Sequence, residues 1–218
     1  MMEKATASDG HVLDYWVEPA IGAPKGGLVI IQEIFGVTEQ LKGVAKRYAG
    51  LGFNVAIPAL FDRQEKGAVI PFSEGPRGRD LMLAAKLEET MMDIDAAVSL
   101  LHKKGGKVAA MGFCWGGGLA IRAAQKSEVA CSVSFYGTRL PQYLDAPLKA
   151  PVLGLFGKND DHVPLEMIKQ ASDYLIDFEV HLYDAGHAFA NDARPSYVAE
   201  AAEDGHKRAV EFLESNLK

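Results

Sequence analysis

The sequence predicts an α/β fold, a mostly parallel sheet with helices on both faces, and two observations carry this prediction. Strand-like apolar runs alternate with helix-like amphipathic segments along the whole chain. The 218 residues, 48% of them hydrophobic, are enough to bury one sizeable core. No repeat, linker or low-complexity tract interrupts the alternation. We therefore expect residues 1–218 to form a single domain.

In the first half of the chain, short segments that end at Gly or Pro predict strands and helices. A periodicity of three and four residues indicates one buried face in the longest predicted helix. The residues of that face are Leu87, Met91, Ile94, Val98 and Leu101. The predicted strands cover residues 12–17, 27–32 and 53–57, and the predicted helices cover residues 39–49 and 80–103, with a loop at residues 62–78.

The second half continues the alternation, and its first strand runs directly into a glycine-rich turn and a helix. The connection at residues 138–150 is too short to hold a large lid domain. The predicted strands cover residues 107–111, 130–136, 151–156 and 179–183, and the predicted helices cover residues 117–124, 165–175 and 197–217.

Composition excludes several classes of protein. A net charge of −6 and a pI of about 5.5 argue against a nucleic-acid-binding surface. No run of about 18 apolar residues is present, so we expect no membrane span. The N-terminal residues are polar and lack the apolar centre of a signal peptide. With only two cysteines, we expect a cytoplasmic protein with free thiols, either a monomer or a small homo-oligomer.

The most informative motif is Gly112-Phe113-Cys114-Trp115-Gly116, a glycine-flanked turn between a predicted strand and a predicted helix. G-x-S-x-G enzymes hold their serine at such a turn. A helix N-terminus favours an anion, and a thiol ionises more easily than a hydroxyl, so Cys114 is a candidate nucleophile. The alternative is a buried, inert cysteine, which is what we expect of Cys131.

A thiol nucleophile needs a histidine base and an acid that orients it, in the chain order nucleophile, acid, histidine. One predicted strand runs into Asp160 and Asp161, and the next runs into His187. Because parallel strands end at the same edge of a sheet, these side chains and Cys114 are expected to converge. Asp160 is the first choice of acid and Asp161 the alternative, with His162 a solvated neighbour. His187 could otherwise be a surface histidine.

The segment Gln32-Glu33-Ile34-Phe35-Gly36 follows an earlier apolar strand. Acyl transfer needs two donors for its oxyanion, and the backbone N–H groups of Ile34 and Trp115 are the candidates. Glu33, at the strand end, is expected to point toward Cys114, where it could hold the thiol neutral or accept its proton. An exposed carboxylate without such a role is the alternative.

Four motifs follow one another along the chain. They are Gln32-Glu33-Ile34-Phe35-Gly36, Gly112-Phe113-Cys114-Trp115-Gly116-Gly117, Asp160 ahead of Val163-Pro164, and Gly186-His187-Ala188-Phe189-Ala190. In this order they resemble the dienelactone hydrolase family over essentially the whole chain. The resemblance implies an α/β-hydrolase fold, a triad of Cys114, Asp160 and His187, and a glutamate, Glu33, that pairs with the thiol until substrate displaces it. It also implies opening of the lactone ring of carboxymethylenebutenolides to maleylacetate.

The chain departs from the family at the substrate carboxylate, which dienelactone-specific members hold between two arginines. Arg79, or alternatively Arg77, matches the first arginine. Asn191 stands where the second is expected, and Arg194 lies three residues further on. We assign Phe35, Arg79 and Asn191 to substrate contacts.

The sequence thus predicts a hydrolase of small esters or lactones, with dienelactone as the first substrate to test. A general carboxylesterase or thioesterase is the alternative, and a non-catalytic thiol sensor is a further one. No phosphate-binding glycine pattern or metal-binding motif is present, so we expect no cofactor and no metal. The expected partner is a small-molecule ester or lactone, with no nucleic acid and no membrane.

Overall fold

A computed structural model describes residues 1–218 and confirms the α/β fold, with eight strands in a mostly parallel sheet. The strands are β1 (Met2–Thr6), β2 (Val12–Glu18), β3 (Gly26–Ile31), β4 (Phe53–Pro58), β5 (Val108–Phe113), β6 (Ser132–Phe135), β7 (Val152–Gly157) and β8 (Phe178–Tyr183). The first half contributes the order β1-β2-β4-β3 and the second half the order β5-β6-β7-β8. The pairs β1–β2 and β2–β4 are antiparallel. The pairs β3–β4, β5–β6, β6–β7 and β7–β8 are parallel.

Six α-helices connect or follow the strands, together with three short 3₁₀ segments. The helices are α1 (Glu39–Gly50), α2 (Gly75–Ala84), α3 (Leu87–His102), α4 (Trp115–Lys126), α5 (Leu165–Tyr174) and α6 (Ala199–Asn216). The 3₁₀ segments are Leu60–Arg63, Phe72–Glu74 and Leu140–Tyr143. Only the last of these lies between β6 and β7, so no lid domain is inserted there. None of the helices combines the length and apolar character needed to cross a membrane.

The chain forms two compact units, Met1–Ala109 and Ala110–Lys218. A single domain over residues 1–218 therefore stays a prediction. In the first unit β3 and β4 are buried at every position, which explains why both are continuous apolar runs rather than alternating ones. Helix α1 begins after Thr38, whose Oγ1 accepts the N–H of Leu41 at 3.2 Å as an N-cap.

In the second unit, glycines at the start of α4 let this helix approach the end of β6. A Cβ on Gly117 would lie 2.7 Å from the Cα of Gly137 and 2.8 Å from the carbonyl oxygen of Phe135. A Cβ on Gly118 would overlap the carbonyl oxygen of Thr138. Larger residues at either position would push the helix away from the strand end, so these glycines fix where α4 begins.

The helix predicted at residues 80–103 is wrong in its first part, because the structure has two helices there, α2 and α3. Ala85 is extended, with φ −74° and ψ 128°, and so ends α2. Lys86 is also extended and precedes α3. Helix α2 begins inside the predicted loop at residues 62–78, where Pro76 supplies the fixed φ that suits a first helical turn. The longest helix is α6, not the one predicted.

The structure differs from the sequence prediction at two further places, Leu87 and the first strand. Leu87 is 37% exposed and does not belong to the buried face of α3, which includes Met91, Ile94, Val98 and Leu101 as predicted. Strand β1 was not predicted, because its alternation of exposed and half-buried polar residues is typical of a solvated segment as well as of an edge strand.

Candidate active site

Cys114 lies between β5 and α4, at the N-cap of the helix, as predicted. Its backbone has φ 55° and ψ −117°, a conformation that costs free energy in any residue with a Cβ. Four backbone hydrogen bonds hold it there. The N–H of Cys114 donates to the carbonyl oxygen of Phe135 at 3.0 Å. Its own carbonyl oxygen accepts the N–H groups of Gly117 and Thr138, each at 3.0 Å, and of Gly118 at 3.3 Å.

The glycines around Cys114 are required by the sharpness of this turn. A Cβ on Gly112 would overlap the carbonyl oxygen of Gly116, so only glycine fits at position 112. Cys114 is a free thiol and partly exposed, whereas Cys131 is a free thiol that is fully buried, which confirms the predicted core position of Cys131. Of the two cysteines, Cys114 alone is presented at the start of a helix, where an anion is favoured.

The second unit brings His187 to Asp160. The Nδ1 of His187 lies 2.7 Å from Oδ2 of Asp160, and the Asp160 side chain is fully buried. The other oxygen, Oδ1, accepts the backbone N–H groups of His162 at 2.8 Å and Val163 at 3.3 Å. Asp161, the alternative acid, is exposed, and the carboxylate that pairs with His187 is that of Asp160.

Charges and hydrogen bonds shift the pKa values of this pair. Burial alone would lower the pKa of His187, but its hydrogen bonds to Asp160 and Cys114, and the charges of both, raise it to about 10. Burial alone would raise the pKa of Asp160, but the hydrogen bond and charge of His187 and the N–H of His162 hold it below the ordinary value. Because Asp160 occupies Nδ1 of His187, the bond to Cys114 engages Nε2.

Two aromatic rings that the sequence analysis did not assign to the site contact the His187 ring. Tyr136 is fully buried, and its ring centroid lies 5.2 Å from that of His187 at an interplanar angle of 66°. The backbone φ of Tyr136 is 39°, a rare conformation for a bulky residue. The centroid of the His162 ring lies 4.5 Å from that of His187 at 57°. The signal that could have found Tyr136 is its position directly after β6, at the same sheet edge as Cys114.

Asn191 lies in the loop that follows His187 and is 2% exposed. Its Oδ1 accepts the N–H of Ala193 at 3.1 Å, and its carbonyl oxygen accepts the N–H of Arg194 at 3.0 Å. Asn191 therefore shapes a turn in this loop. The turn brings the charge of Arg194 close enough to His162 to contribute to lowering the pKa of that histidine.

The remaining predicted site residues lie in the first unit. Glu33 follows β3 and is 7% exposed. Phe35 is buried, with its ring 4.8 Å from that of Phe72 in an edge-on contact. Gly78, on α2, packs directly on the Ile34 peptide, because a Cβ there would overlap the Ile34 carbonyl oxygen. The start of α2 is thus fixed against the segment that carries Glu33 and Ile34.

Arg77 and Arg79 flank Gly78 on α2, and both are exposed. The predicted loop at residues 62–78 includes Arg77, which the structure places in the helix instead. Arg77 forms ion pairs with Glu65 at 2.5 Å and Glu74 at 3.6 Å. Arg79 forms no ion pair in the structure. Of the two candidates, Arg79 therefore has the guanidinium that an incoming carboxylate can bind without displacing a protein partner.

No group of three or more His, Cys, Asp or Glu side chains is arranged to hold a metal ion. The fold and the turn that carries Cys114 define an α/β-hydrolase. The family model described as the dienelactone hydrolase family matches residues 14–217 of the chain. The chain belongs to the dienelactone hydrolase family, and it is a hydrolase of ester or lactone bonds.

Individual relatives agree with this assignment. A provisionally named carboxymethylenebutenolidase of Methylorubrum extorquens is 35% identical, over 96% of this chain and 79% of that protein. The carboxymethylenebutenolidase of Pseudomonas putida is 32% identical, over 94% of this chain and 92% of that protein. Among solved structures, a provisionally named dienelactone hydrolase from Klebsiella pneumoniae superposes with a TM-score of 0.83 at 26% identity, covering 98% of both chains.

Proposed function

We propose that the protein hydrolyses small esters or lactones through an acyl-enzyme on Cys114, with carboxymethylenebutenolide (dienelactone) as its substrate. The observation that carries the proposal is the hydrogen-bonded series Asp160–His187–Cys114 at a helix N-terminus. Each member can perform a step that the others cannot: the thiolate attacks, the imidazole moves protons, and the carboxylate orients the imidazole.

In the first half of the reaction, the Cys114 thiolate attacks the lactone carbonyl and forms a C–S bond. The tetrahedral intermediate then collapses, the ring C–O bond breaks, and the imidazolium of His187 gives its Nε2 proton to the departing oxygen. A water molecule next attacks the thioester carbonyl while His187 takes a proton from it. Breaking the C–S bond releases the carboxylic acid and regenerates the thiolate, so no cofactor is consumed.

The backbone N–H groups of Trp115 and Ile34 are proposed as donors to the oxyanion. Trp115 is the first residue of α4, where N–H groups point away from the helix and favour negative charge. Support for Ile34 comes from its place after β3 and from the resemblance between this segment and the family motif.

Glu33 is proposed to pair with the Cys114 thiol in the resting enzyme until substrate displaces it. Its burial, at 7% exposure, is unusual for a glutamate and supports a specific role. The pairing itself follows from the family resemblance.

Substrate recognition is proposed to rest on Arg79, with Phe35 as an apolar contact. Asn191 was assigned to the substrate from the sequence, but its side-chain oxygen is used within its own loop, so we expect it to contribute less than Arg79. Arg194, which that loop brings near His162, is the candidate for a second cation.

A general carboxylesterase or thioesterase is the second candidate function, and the burial of Asn191 favours it. An asparagine held in a turn cannot bind a substrate carboxylate as an arginine does. An enzyme with one arginine rather than two should discriminate less between anionic and neutral esters.

The deciding experiment compares dienelactone with neutral p-nitrophenyl esters, using wild type, Cys114→Ala and Cys131→Ala. We expect Cys114→Ala to abolish turnover of every substrate and Cys131→Ala to retain it, with kcat/KM at least about tenfold higher for dienelactone. Equal kcat/KM for both substrate classes would favour the carboxylesterase. Full activity of Cys114→Ala would disprove the mechanism. Since the proposed mechanism requires a free thiol, we place the activity in the reducing cytoplasm.

A further inference from the structure

The imidazole of His187 contacts two aromatic rings, and only one of them is buried. Tyr136, 5.2 Å away, is part of the core of the second unit. His162, 4.5 Å away, is an exposed residue. The side chain of His187 is itself only 17% exposed. Of the two rings that contact His187, that of His162 therefore lies at the protein surface.

The backbone ties His162 to the same carboxylate that orients His187. Its N–H donates to Asp160 Oδ1 at 2.8 Å, while Asp160 Oδ2 lies 2.7 Å from Nδ1 of His187. One carboxylate therefore fixes both the backbone of residue 162 and the ring of residue 187. The backbone of residue 162 is therefore held close to the reacting imidazole, and its ring contacts that imidazole.

The surroundings of His162, its burial first among them, favour its neutral form. Burial and the positive charges of His187 and Arg194 lower its pKa, against the opposing charges of Asp160 and Asp161. At neutral pH the His187 imidazolium then contacts an uncharged ring rather than a second cation. A neutral ring at this contact avoids the repulsion that a second cation would exert on the imidazolium.

We propose that His162 is a positioning residue for His187: its ring packs on the catalytic imidazole, fixes the direction of Nε2 and keeps water from the Asp160–His187 hydrogen bond. The inference rests on the proposed role of His187 as the base but not on the identity of the substrate. It assigns no proton transfer to His162. What is required of residue 162 is therefore a flat ring, not an ionisable group.

Variants of His162 separate these requirements. We expect His162→Ala to lower kcat by about tenfold with KM changed by less than about twofold, because a loosened imidazole reduces the productive orientation and not substrate binding. His162→Phe, which keeps a ring without nitrogen atoms, should return kcat to within about threefold of wild type. His181→Ala is the matched control, since His181 is partly exposed on β8 and contacts Tyr183 instead.

A second measurement does not depend on ester hydrolysis. The Nδ1 proton of His187 should give a far-downfield proton NMR signal in wild type, His162→Phe and His181→Ala, and that signal should broaden by exchange with water in His162→Ala. An unchanged signal and unchanged kcat in His162→Ala would overturn the proposal. A defect of His162→Ala in KM alone would also overturn it. So would a kcat that His162→Gln restores and His162→Phe does not. If wild type does not hydrolyse esters but the Nδ1 proton signal of His187 still broadens in His162→Ala, the proposed function fails and the positioning role stands.

Discussion

The Nδ1 atom of His187 lies 2.7 Å from Oδ2 of Asp160, and this carboxylate is closed on its other side by two backbone N–H groups. Both carboxylate oxygens of Asp160 are thus engaged, and these contacts oppose rotation of the side chain. The consequence is a histidine held in one orientation, with Nε2 directed to the thiol of Cys114. Asp161 has none of these contacts although it is adjacent in sequence.

This arrangement predicts that Asp160→Asn lowers kcat by at least about a hundredfold, because the amide neither stabilises the imidazolium nor sets its tautomer. Asp161→Asn is the matched control and should change kcat by less than about twofold. Steady-state kinetics on a neutral p-nitrophenyl ester measure both variants without involving any substrate carboxylate. Comparable losses in the two variants would contradict the assignment of Asp160 as the acid.

The pKa of His187, raised to about 10, predicts that its imidazole carries both protons at pH 8. An ordinary histidine, with a pKa of about 6.5, is neutral at that pH. Nitrogen-detected NMR of the histidine rings should therefore show an imidazolium pattern for His187, and that pattern should disappear as the pH rises past about 10.

In Cys114→Ala the His187 ring should become neutral at a lower pH than in wild type, because the hydrogen bond and negative charge of Cys114 both raise the pKa of His187. The neighbouring His162, whose pKa is lowered, should already be neutral at pH 8 in both proteins. A His187 ring that is neutral at pH 8 in wild type would show that its contacts with Asp160 and Cys114 do not raise its pKa.

The turn at Cys114 predicts that Gly112→Ala destabilises the protein by about 3 kcal/mol, because the added methyl overlaps the Gly116 carbonyl oxygen. Gly43→Ala is the control: Gly43 lies inside α1 with nothing near its Cβ position, and alanine should stabilise that helix by up to about 1 kcal/mol. Urea denaturation gives both free energies of unfolding. Equal midpoints for Gly112→Ala and wild type would mean that the turn is less tight than described.

Local rules predicted the parts of the site that depend on backbone geometry. The spacing of Gly112, Cys114 and Gly116 is itself the requirement of a sharp strand-to-helix turn, so sequence alone placed Cys114 at the helix N-terminus. The choice between Asp160 and Asp161 could not be made in this way. It depends on which side chain accepts the N–H groups of the following residues, and that is decided by the folded loop.

Other features are set by packing between distant segments. The contact of His162 with His187 joins residues 25 positions apart, which no periodicity reveals. Helix α2 ends at Ala84 although Ala85 and Lys86 are good helix formers, so tertiary structure overrides local propensity there.

The ion pairs of α2 predict which arginine recognises an anionic substrate. Arg77 already binds Glu65 and Glu74, whereas Arg79 forms no ion pair. We expect Arg79→Ala to raise KM for dienelactone by about tenfold, the loss of one charged hydrogen bond, and to leave a neutral p-nitrophenyl ester within about twofold of wild type. Arg77→Ala should leave KM for both substrates within about twofold of wild type, since its guanidinium binds protein carboxylates and not the substrate.

Steady-state kinetics of the two variants on both substrates test this prediction. An equal loss on both substrates in Arg79→Ala would point to a structural role for this arginine, and a larger loss in Arg77→Ala would transfer the carboxylate contact to Arg77.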